Sequence, residues 1–200
     1  MPDFTIEKKL NNPVIGLDEV GRGPLAGPVI SCGCYFKNYT IQKDLYNLIS
    51  DSKKLSEKKR LMIGMDIKKN ASKVSIGEAS AEEIDSLNIK EASLLAMERA
   101  ILGLSEQNIE VIVDGIDLPK VIFPSQAIIK ADEKIPEVMA ASIVAKVYRD
   151  NLMIDFSSEF PDFSLEKNKG YPTKKHLNIL KSLGPTKYHR MSFKPVLNVR

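Results

Sequence analysis

The chain has 200 residues, of which 43% are hydrophobic and 28% charged. These proportions suffice for one or two domains with a buried core and exclude a wholly disordered protein. The formal net charge is only +3, but residues 151–200 carry nine Lys or Arg against four Asp or Glu, an excess of +5 that leaves −2 for residues 1–150 and favours a polyanionic partner.

The first forty residues predict a hairpin. The N-terminus lacks the basic-then-apolar pattern of a secretory signal, and no apolar run in the chain approaches the ~20 residues of a transmembrane helix, so we expect a cytoplasmic protein without a membrane partner. Apolar runs at 14–20 and 29–36 predict two strands, and the Gly/Pro-rich segment 21–28 predicts the turn between them. Cys32 and Cys34 are too few for a disulfide framework, and we expect both to be buried and reduced.

Strands and helices alternate along the rest of the chain. Ser56 suits the N-cap of a helix, and Ser80 with Glu83 three residues later forms a capping box. Apolar patterning predicts further strands at 73–79, 110–114 and 127–130, and helices at about 90–104, 136–156 and 173–183. The alternation predicts an α/β fold, the opening hairpin predicts that its sheet is mixed, and the last 45 residues or so read as a small helical appendage that carries the basic charge.

Four acids lie at or just after the ends of strand-like runs. They are Asp18, Glu19, Asp114 and Asp132. A carboxylate at the end of a buried strand is costly unless something satisfies it, and the strand ends of an open α/β sheet are where sites form. A single such acid is as easily a turn or capping residue, but four together favour a site for Mg²⁺ or Mn²⁺, the ions that oxygen ligands prefer. Neighbours in a regular strand point to opposite faces, so Asp18 and Glu19 can share a site only if the strand ends or bulges there.

Two further segments can contact a ligand. Gly21-Arg22-Gly23 lacks the spacing of a phosphate-binding or dinucleotide loop, and it is either a plain tight turn or a loop whose bare backbone approaches a ligand. Tyr171 stands among lysines, which suits phosphate contacts with stacking on a base or sugar, or else a solvated basic loop with the tyrosine packed inward. The two histidines, His176 and His189, have no partner at metal-ligand spacing, so we expect surface or structural roles.

Taken together, several segments resemble the bacterial ribonuclease HII family, the type 2 ribonucleases H. The segments are GLDEVGRGPLAGPV (16–29), DSKKLSEKKR (51–60), EEIDSLNI (82–89), VDG (113–115), KADEKIPEVMAASIVAKVYRD (130–150), KGYPT (169–173) and HRMSF (189–193). The resemblance implies a ribonuclease H-like mixed sheet flanked by helices, with a catalytic core at 1–156 and a small basic helical C-terminal region at 157–200 that packs on the core or forms one domain with it.

The resemblance also implies a function. It implies an endonuclease that cleaves the RNA strand of RNA–DNA hybrids and nicks duplex DNA 5′ to single embedded ribonucleotides, in the service of DNA replication and repair. The family's four catalytic and metal-binding carboxylates fall on Asp18, Glu19, Asp114 and Asp132, which would hold two ions of Mg²⁺ or Mn²⁺, Asp18 being shared between them. Its 2′-hydroxyl-binding loop falls on Gly21, Arg22 and Gly23, and its junction-sensing tyrosine on Tyr171; Lys53 and Lys169 are expected to contact phosphates. We expect 5′-phosphate and 3′-hydroxyl products and a monomer.

The chain departs from the family pattern at two positions. Ala131 stands where the family usually has glycine, which requires a negative φ or a small strain. Asn168 stands where the family usually has histidine. Two other functional classes compete: a non-catalytic nucleic-acid-binding module, which has no use for the four acids, and a metal-dependent phosphohydrolase of small molecules, which leaves the basic tail and Tyr171 unused.

Overall fold

The structure is a computed structural model that describes residues 9–10, 12–37, 41–50 and 56–199. Within these residues one five-stranded sheet is formed by β1 (Val14–Val20), β2 (Val29–Tyr35), β3 (Lys73–Ala79), β4 (Glu110–Asp114) and β5 (Ser125–Ile128), in the order β3-β2-β1-β4-β5. β1 pairs antiparallel with β2, and β2 pairs antiparallel with β3. β4 runs parallel to β1, and β5 runs parallel to β4. The predicted mixed sheet is therefore confirmed.

Eight α-helices accompany the sheet in the described part of the chain. They are α1 (Lys43–Ser50), α2 (Glu57–Asn70), α3 (Ala81–Leu87), α4 (Ile89–Leu104), α5 (Pro136–Glu159), α6 (Leu165–Asn168), α7 (Lys174–Leu183) and α8 (Lys194–Leu197). Ser56 caps α2 by accepting from the N–H of Lys59, and the Ser80–Glu83 capping box starts α3 as predicted. None of these helices is both long and apolar enough to cross a membrane.

The sheet is covered on both faces. Alternation along β1 places Ile15 and Leu17 against α4, where they join a fully apolar cluster with Met97. On the other face Gly16 lies so close to the backbone of α5 that a Cβ would sit 2.3 Å from the Val138 nitrogen. Asp18 follows on the α5 face and Glu19 on the α4 face, so the two neighbouring acids leave the sheet in opposite directions.

A second cluster of apolar side chains lies under α5 and includes both cysteines. Cys32 and Cys34 are free, fully buried, and packed with Met139 and Val144 of α5. Burial raises the pKa of both thiols far above the ordinary value, so both stay protonated and inert. The prediction of two reduced, buried thiols is confirmed.

Candidate active site

The carboxyl ends of β1 and β4 meet at one edge of the sheet. Leu17 is the last residue of β1 to pair with β4, where its partner is Val113, so Asp18 and Asp114 are the next residues on two parallel, adjacent strands. β1 stays in regular register with β2 through Asp18, Glu19 and Val20, so of the two alternatives for this position, a strand end or a bulge, the bulge is absent. The strand therefore ends only on its β4 side; Glu19 and Asp114 line one cleft there, and the charges of both raise the pKa of the buried Asp18.

Asp18 is the most buried of the four acids, with 8% of its surface exposed. Its Oδ1 accepts a hydrogen bond from the N–H of Glu19 at 2.8 Å, and the Ser142 hydroxyl on α5 bonds to the same carboxyl group. Burial, followed by the negative charges of Glu19 and Asp114, raises the pKa of Asp18 to about 7, although both hydrogen bonds oppose the rise. A bare carboxylate is thus unfavourable at this position.

Glu19 borders a cleft on the α4 side of the edge. Its Oε1 lies 3.2 Å from Nη1 of Arg22, and it shares the cleft of about 250 Å³ with Asp114 and with the ion pair of Lys90 and Asp117. Burial raises the pKa of Glu19, the Arg22 guanidinium lowers it, and the charge of Asp114 raises it again, with a net rise. Arg22 is therefore the cation that Glu19 holds in this arrangement.

Asp114 connects the edge to the turn that carries Asp132. After β5 the chain turns through Lys130, whose φ of 59° is left-handed, into a single 3₁₀ turn at Ala131–Glu133. The N–H of Ala131 donates to Oδ1 of Asp114 at 2.7 Å. Asp132 therefore directly follows the residue whose amide bonds to Asp114, and it is half-buried.

The departure at Ala131 is accommodated without strain at that residue. Ala131 has a negative φ, and its methyl group is fully buried in an apolar cluster with Val14, Ile112 and Val138. The left-handed residue of the turn is Lys130 instead. The expectation that alanine requires a negative φ here is confirmed.

The donor set fits a hard divalent cation. Every candidate ligand is a carboxylate, and the raised pKa values of Asp18 and Glu19 mean that added positive charge is favourable there. As the side chains stand, no three Asp, Glu, His or Cys groups among the described residues are spaced as ligands of one ion. In this arrangement Glu19 is paired with Arg22 instead.

The loop Gly21-Arg22-Gly23 follows directly after these acids. Gly21 has a φ of +97°, and a Cβ on it would meet the Arg149 guanidinium at 2.3 Å, so both conformation and space require glycine. Arg22 and Gly23 are exposed. A Cβ on Gly23 would lie 3.6 Å from the ring of Tyr171, so the structure brings the loop and the tyrosine side by side.

Tyr171 is presented by a tight turn at the end of α6. Lys169 and Gly170 are both left-handed, and Asn168 bonds to the turn through its side chain, accepting from the N–H of Gly170 at 2.8 Å and donating to the carbonyl of Phe163 at 2.6 Å. Asn168 thereby stabilises the conformation that leaves Tyr171 43% exposed. Of the two readings of Tyr171, inward packing is wrong.

The structure describes one of the two lysines that were predicted to bind phosphates. Lys169 is almost buried, and its Nζ lies 3.0 Å from Oε1 of Glu57 on α2, so it joins two parts of the fold as well as lying beside Tyr171. Lys53 lies outside the described residues.

The histidines form a buried pair below the tyrosine. The N–H of Thr186 donates to Nδ1 of His189, so the proton of His189 is on Nε2, which lies 3.0 Å from Nε2 of His176. His176 then carries its proton on Nδ1, 2.9 Å from the carbonyl oxygen of Tyr171. Both imidazoles are therefore neutral and structural; a surface position is wrong for both.

Three residues of the site escaped sequence reasoning: Ser142, Arg149 and Arg190. Ser142 is one of many serines in helices, and nothing in its neighbours marks it. Arginine is usually a surface residue, yet both arginines are fully buried. Arg190 lies within the segment HRMSF (189–193) of the resemblance, but only the three-dimensional contacts reveal what it does.

Comparisons with known proteins agree with this geometry. The sequence model of the family described as Ribonuclease HII matches residues 15–196. A ribonuclease HII from Wolbachia sp. subsp. Brugia malayi (strain TRS) is 46% identical over 197 residues, covering 98% of this chain and 95% of the relative. A ribonuclease HII from Zymomonas mobilis subsp. mobilis is 43% identical over 200 residues, covering 98% and 91%.

Solved structures share the fold. The ribonuclease H2 of Pyrococcus horikoshii OT3 has a TM-score of 0.80 at 24% identity, covering 93% of this chain and 96% of its own. The RNase HII of Archaeoglobus fulgidus, solved in a complex with PCNA, has a TM-score of 0.75 at 30% identity, covering 94% and 96%. Bst-RNase HIII, solved in complex with Mn²⁺, has a TM-score of 0.73 at 17% identity, covering 94% of this chain and 69% of its own.

Proposed function

Because the chain belongs to the ribonuclease HII family of metal-dependent endoribonucleases, which hydrolyse RNA in RNA–DNA hybrids, we propose that Asp18, Glu19, Asp114 and Asp132 are its catalytic carboxylates. The observation that carries this proposal is the edge of the sheet where Asp18 and Asp114 end adjacent parallel strands and the Ala131 amide ties Asp114 to the Asp132 turn.

The four carboxylates would hold two ions of Mg²⁺ or Mn²⁺, with Asp18 as the shared ligand. When bound, such ions activate a water for attack on the phosphodiester and neutralise the charge that develops on the leaving 3′-oxygen, giving 5′-phosphate and 3′-hydroxyl ends. The all-carboxylate donor set supports the choice of ion, and the presence of Mn²⁺ in the Bst-RNase HIII structure agrees with it.

The protein's own groups prepare this chemistry. Ser142 and the Glu19 amide orient the Asp18 carboxylate, and the Ala131 amide orients that of Asp114. Arg22 offers its guanidinium either to Glu19 or to a substrate phosphate, because its side chain is 46% exposed. Neither histidine serves as a base, since both are buried in the pair below Tyr171.

Recognition of the ribose is assigned to the loop and the tyrosine. The exposed backbone at Arg22 and Gly23 would bind the 2′-hydroxyl, the group that distinguishes RNA from DNA, and Tyr171 beside it would stack on the sugar at the junction. This arrangement supports cleavage 5′ to a single ribonucleotide in duplex DNA as well as in longer hybrids. Lys53 and Lys169 are proposed phosphate contacts, the latter alongside its pairing with Glu57.

The wider assignments follow from the same reading. We propose a monomeric cytoplasmic enzyme that removes ribonucleotides during DNA replication and repair, with a core at 1–156 and a basic helical region at 157–200. An apolar cluster that joins Leu25, Ala26 and Met153 to Phe163 and Leu165 supports packing of the second part on the first. A sliding-clamp partner is named for the Archaeoglobus fulgidus relative alone.

The test is a DNA duplex with one embedded ribonucleotide and a 5′ label. We expect a nick 5′ to the ribonucleotide with Mg²⁺ or Mn²⁺, no nick with chelator, and no nick in the all-DNA duplex. Binding without a nick in either metal would favour the non-catalytic module. Hydrolysis of small phosphate esters, without salt-dependent binding to the duplex, would favour the small-molecule phosphohydrolase.

A further inference from the structure

Arg149 on α5 is a fully buried cation that bonds to three backbone carbonyls. Its Nε donates to Pro28 at 3.0 Å, Nη2 to Ala26 at 2.9 Å and Nη1 to Lys169 at 2.9 Å. No carboxylate of the described residues forms an ion pair with it, although buried charges are usually paired. One guanidinium thus joins the segment after the Gly21-Arg22-Gly23 loop to the turn that presents Tyr171.

Arg190 repeats this arrangement from the other side. It is also fully buried, and its guanidinium donates to four carbonyls of the loop and its continuation. Nη2 bonds to Gly21 at 2.5 Å, Nη1 to Arg22 at 3.0 Å and to Pro24 at 2.7 Å, and Nε to Gly27 at 2.9 Å. A planar fork with five donors is the only side chain that can bond to so many carbonyls at once.

These bonds fix the direction of the loop's N–H groups. In a trans peptide the carbonyl of one residue points opposite to the N–H of the next. Because Arg190 binds the carbonyls of Gly21 and Arg22, the N–H groups of Arg22 and Gly23 point away from it, toward the exposed side of the loop. The Pro24–Leu25 peptide obeys the same rule: Arg190 binds the Pro24 carbonyl, and the Leu25 N–H points the other way and donates to the carbonyl of Gly170.

The same contacts set the loop against the tyrosine. Arg149 lies directly beneath Gly21, where a Cβ would approach its Nε to 2.3 Å, and it also binds the carbonyl of Lys169. The Leu25 N–H bonds to Gly170 at 2.8 Å, one residue before Tyr171. Both arginines remain protonated at neutral pH, since burial lowers the pKa of Arg149 only to about 10 and that of Arg190 only to about 9.

We propose that Arg149 and Arg190 are positioning residues for ribose recognition: they bind the carbonyl side of the Gly21–Gly23 peptides so that the N–H side is preset toward the 2′-hydroxyl, and they fix Tyr171 beside it. The inference rests on the proposed function, because it concerns the geometry of that same site. Preset donors lose no conformational freedom when the substrate binds, which favours discrimination between ribose and deoxyribose.

The central test compares Arg190→Lys with Arg99→Lys. Lysine keeps the charge but cannot span four carbonyls, whereas Arg99 lies at the surface, pairs with Glu83 and plays no part in the site. For the single-ribonucleotide duplex we expect Arg190→Lys to lower kcat/KM at least about tenfold, while the inhibition constant of an all-DNA competitor stays within about twofold. Arg99→Lys should leave both unchanged.

Two results would overturn the inference. One is a kcat/KM within about twofold of wild type in Arg190→Lys; the other is a loss of kcat/KM matched by an equal loss of affinity for the all-DNA duplex, which a merely structural role predicts. A wild-type protein that fails to nick would instead refute the proposed function, so the two failures are distinguishable.

A measurement on the wild-type protein covers the case in which Arg190→Lys does not fold. The amide resonances of Arg22 and Gly23 are followed by NMR during titration, in Ca²⁺ or chelator, with the single-ribonucleotide duplex and with the all-DNA duplex. We expect both amides to shift with the first duplex and to shift much less with the second. Equal shifts with both duplexes would refute outward donors specific for the 2′-hydroxyl.

Discussion

The carboxylate edge, defined by Asp18, Glu19, Asp114 and Asp132, differs from the recognition loops, defined by 21–23 and 169–171, in what holds it together. The edge is held by neighbouring strands and by an amide 17 residues away in the chain. The recognition loops are held by two arginines that bind carbonyls 20 to 169 residues distant. Strand pairing thus places the proposed catalytic acids, whereas side-chain bonds to distant carbonyls place the proposed recognition loops.

The two regions also handle charge in opposite ways. At the edge, negative groups accumulate without cations of comparable burial, and the pKa of Asp18 rises as a result. Beneath the loops, positive guanidiniums are fully satisfied by carbonyls and stay charged. Substitutions at the edge should therefore remove activity and spare stability, while substitutions beneath the loops should affect both.

The largest effect is expected for Asp18→Asn. Loss of the carboxylate proposed to be shared between two ions should lower nicking of the single-ribonucleotide duplex by at least about 10³-fold. Because burial and neighbouring acids already disfavour the charged form, the amide should leave the free energy of unfolding equal to or above that of wild type. Nicking assays and urea unfolding at pH 7.5 measure both quantities. A fully active variant would refute the assignment of Asp18 as a catalytic carboxylate.

The second effect concerns stability and pH in the region of the loops. Burial lowers the pKa of His189 from 6.5 to about 4, and it lowers that of His176 as well. As the pH falls below 6.5, the pKa of histidine in the unfolded chain, the unfolded chain binds protons that the folded protein does not. The stability present above pH 6.5 is therefore lost progressively toward pH 4.

We expect His189 alone to account for at most about 3 kcal/mol of this loss. Urea unfolding at several pH values between 7 and 5 measures the slope. His189→Gln, which cannot take up a proton, should flatten that slope whatever its own stability at pH 7. An unchanged slope in His189→Gln would show that the pair does not titrate in this range.

The third effect separates recognition from binding. Tyr171→Ala should lower cleavage at a single ribonucleotide by about tenfold or more, through loss of stacking worth roughly 1–3 kcal/mol, and should weaken all-DNA duplex binding less. Tyr171→Phe keeps the ring and is the matched control, with activity close to wild type. An equal loss of cleavage and of duplex binding in Tyr171→Ala would contradict a junction-sensing role.

Much of the fold could be predicted because its signals are local. The bounds of β1, β3 and β4 agree with the predicted ranges, and the caps at Ser56 and Ser80 begin helices as expected. The helix at 43–50 was missed although Leu45 and Ile49 show the spacing of a buried helical face. The last strand begins at Ser125, earlier than predicted, because its pairing with β4, and not its own apolar content, determines where it begins.

The residues of the candidate site also divide into those that local sequence signals mark and those that only long-range contacts reveal. Asp132 lies beyond the end of β5, in a 3₁₀ turn, but the other three acids were predictable as candidates, since they lie at or near the ends of β1 and β4. The roles of Arg149 and Arg190 were not, because arginine normally reads as a surface residue and its carbonyl partners are far away in the chain. Glu19 faces the opposite side of the sheet from Asp18, which alternation foresaw and which the regular register preserves.

The smallest effect is expected at the point where this chain departs from the family pattern. Ala131→Gly restores the family's usual residue but removes a fully buried methyl group from the cluster around Val14 and Ile112. It also raises the conformational entropy of the unfolded chain. We expect a loss of about 1 kcal/mol in the free energy of unfolding, measured with urea. Nicking should stay within about twofold, because the amide that binds Asp114 is backbone and survives the change. A large gain in activity would mean instead that the methyl group holds Asp132 away from its working position, and the alanine would then be a restraint on the carboxylate edge.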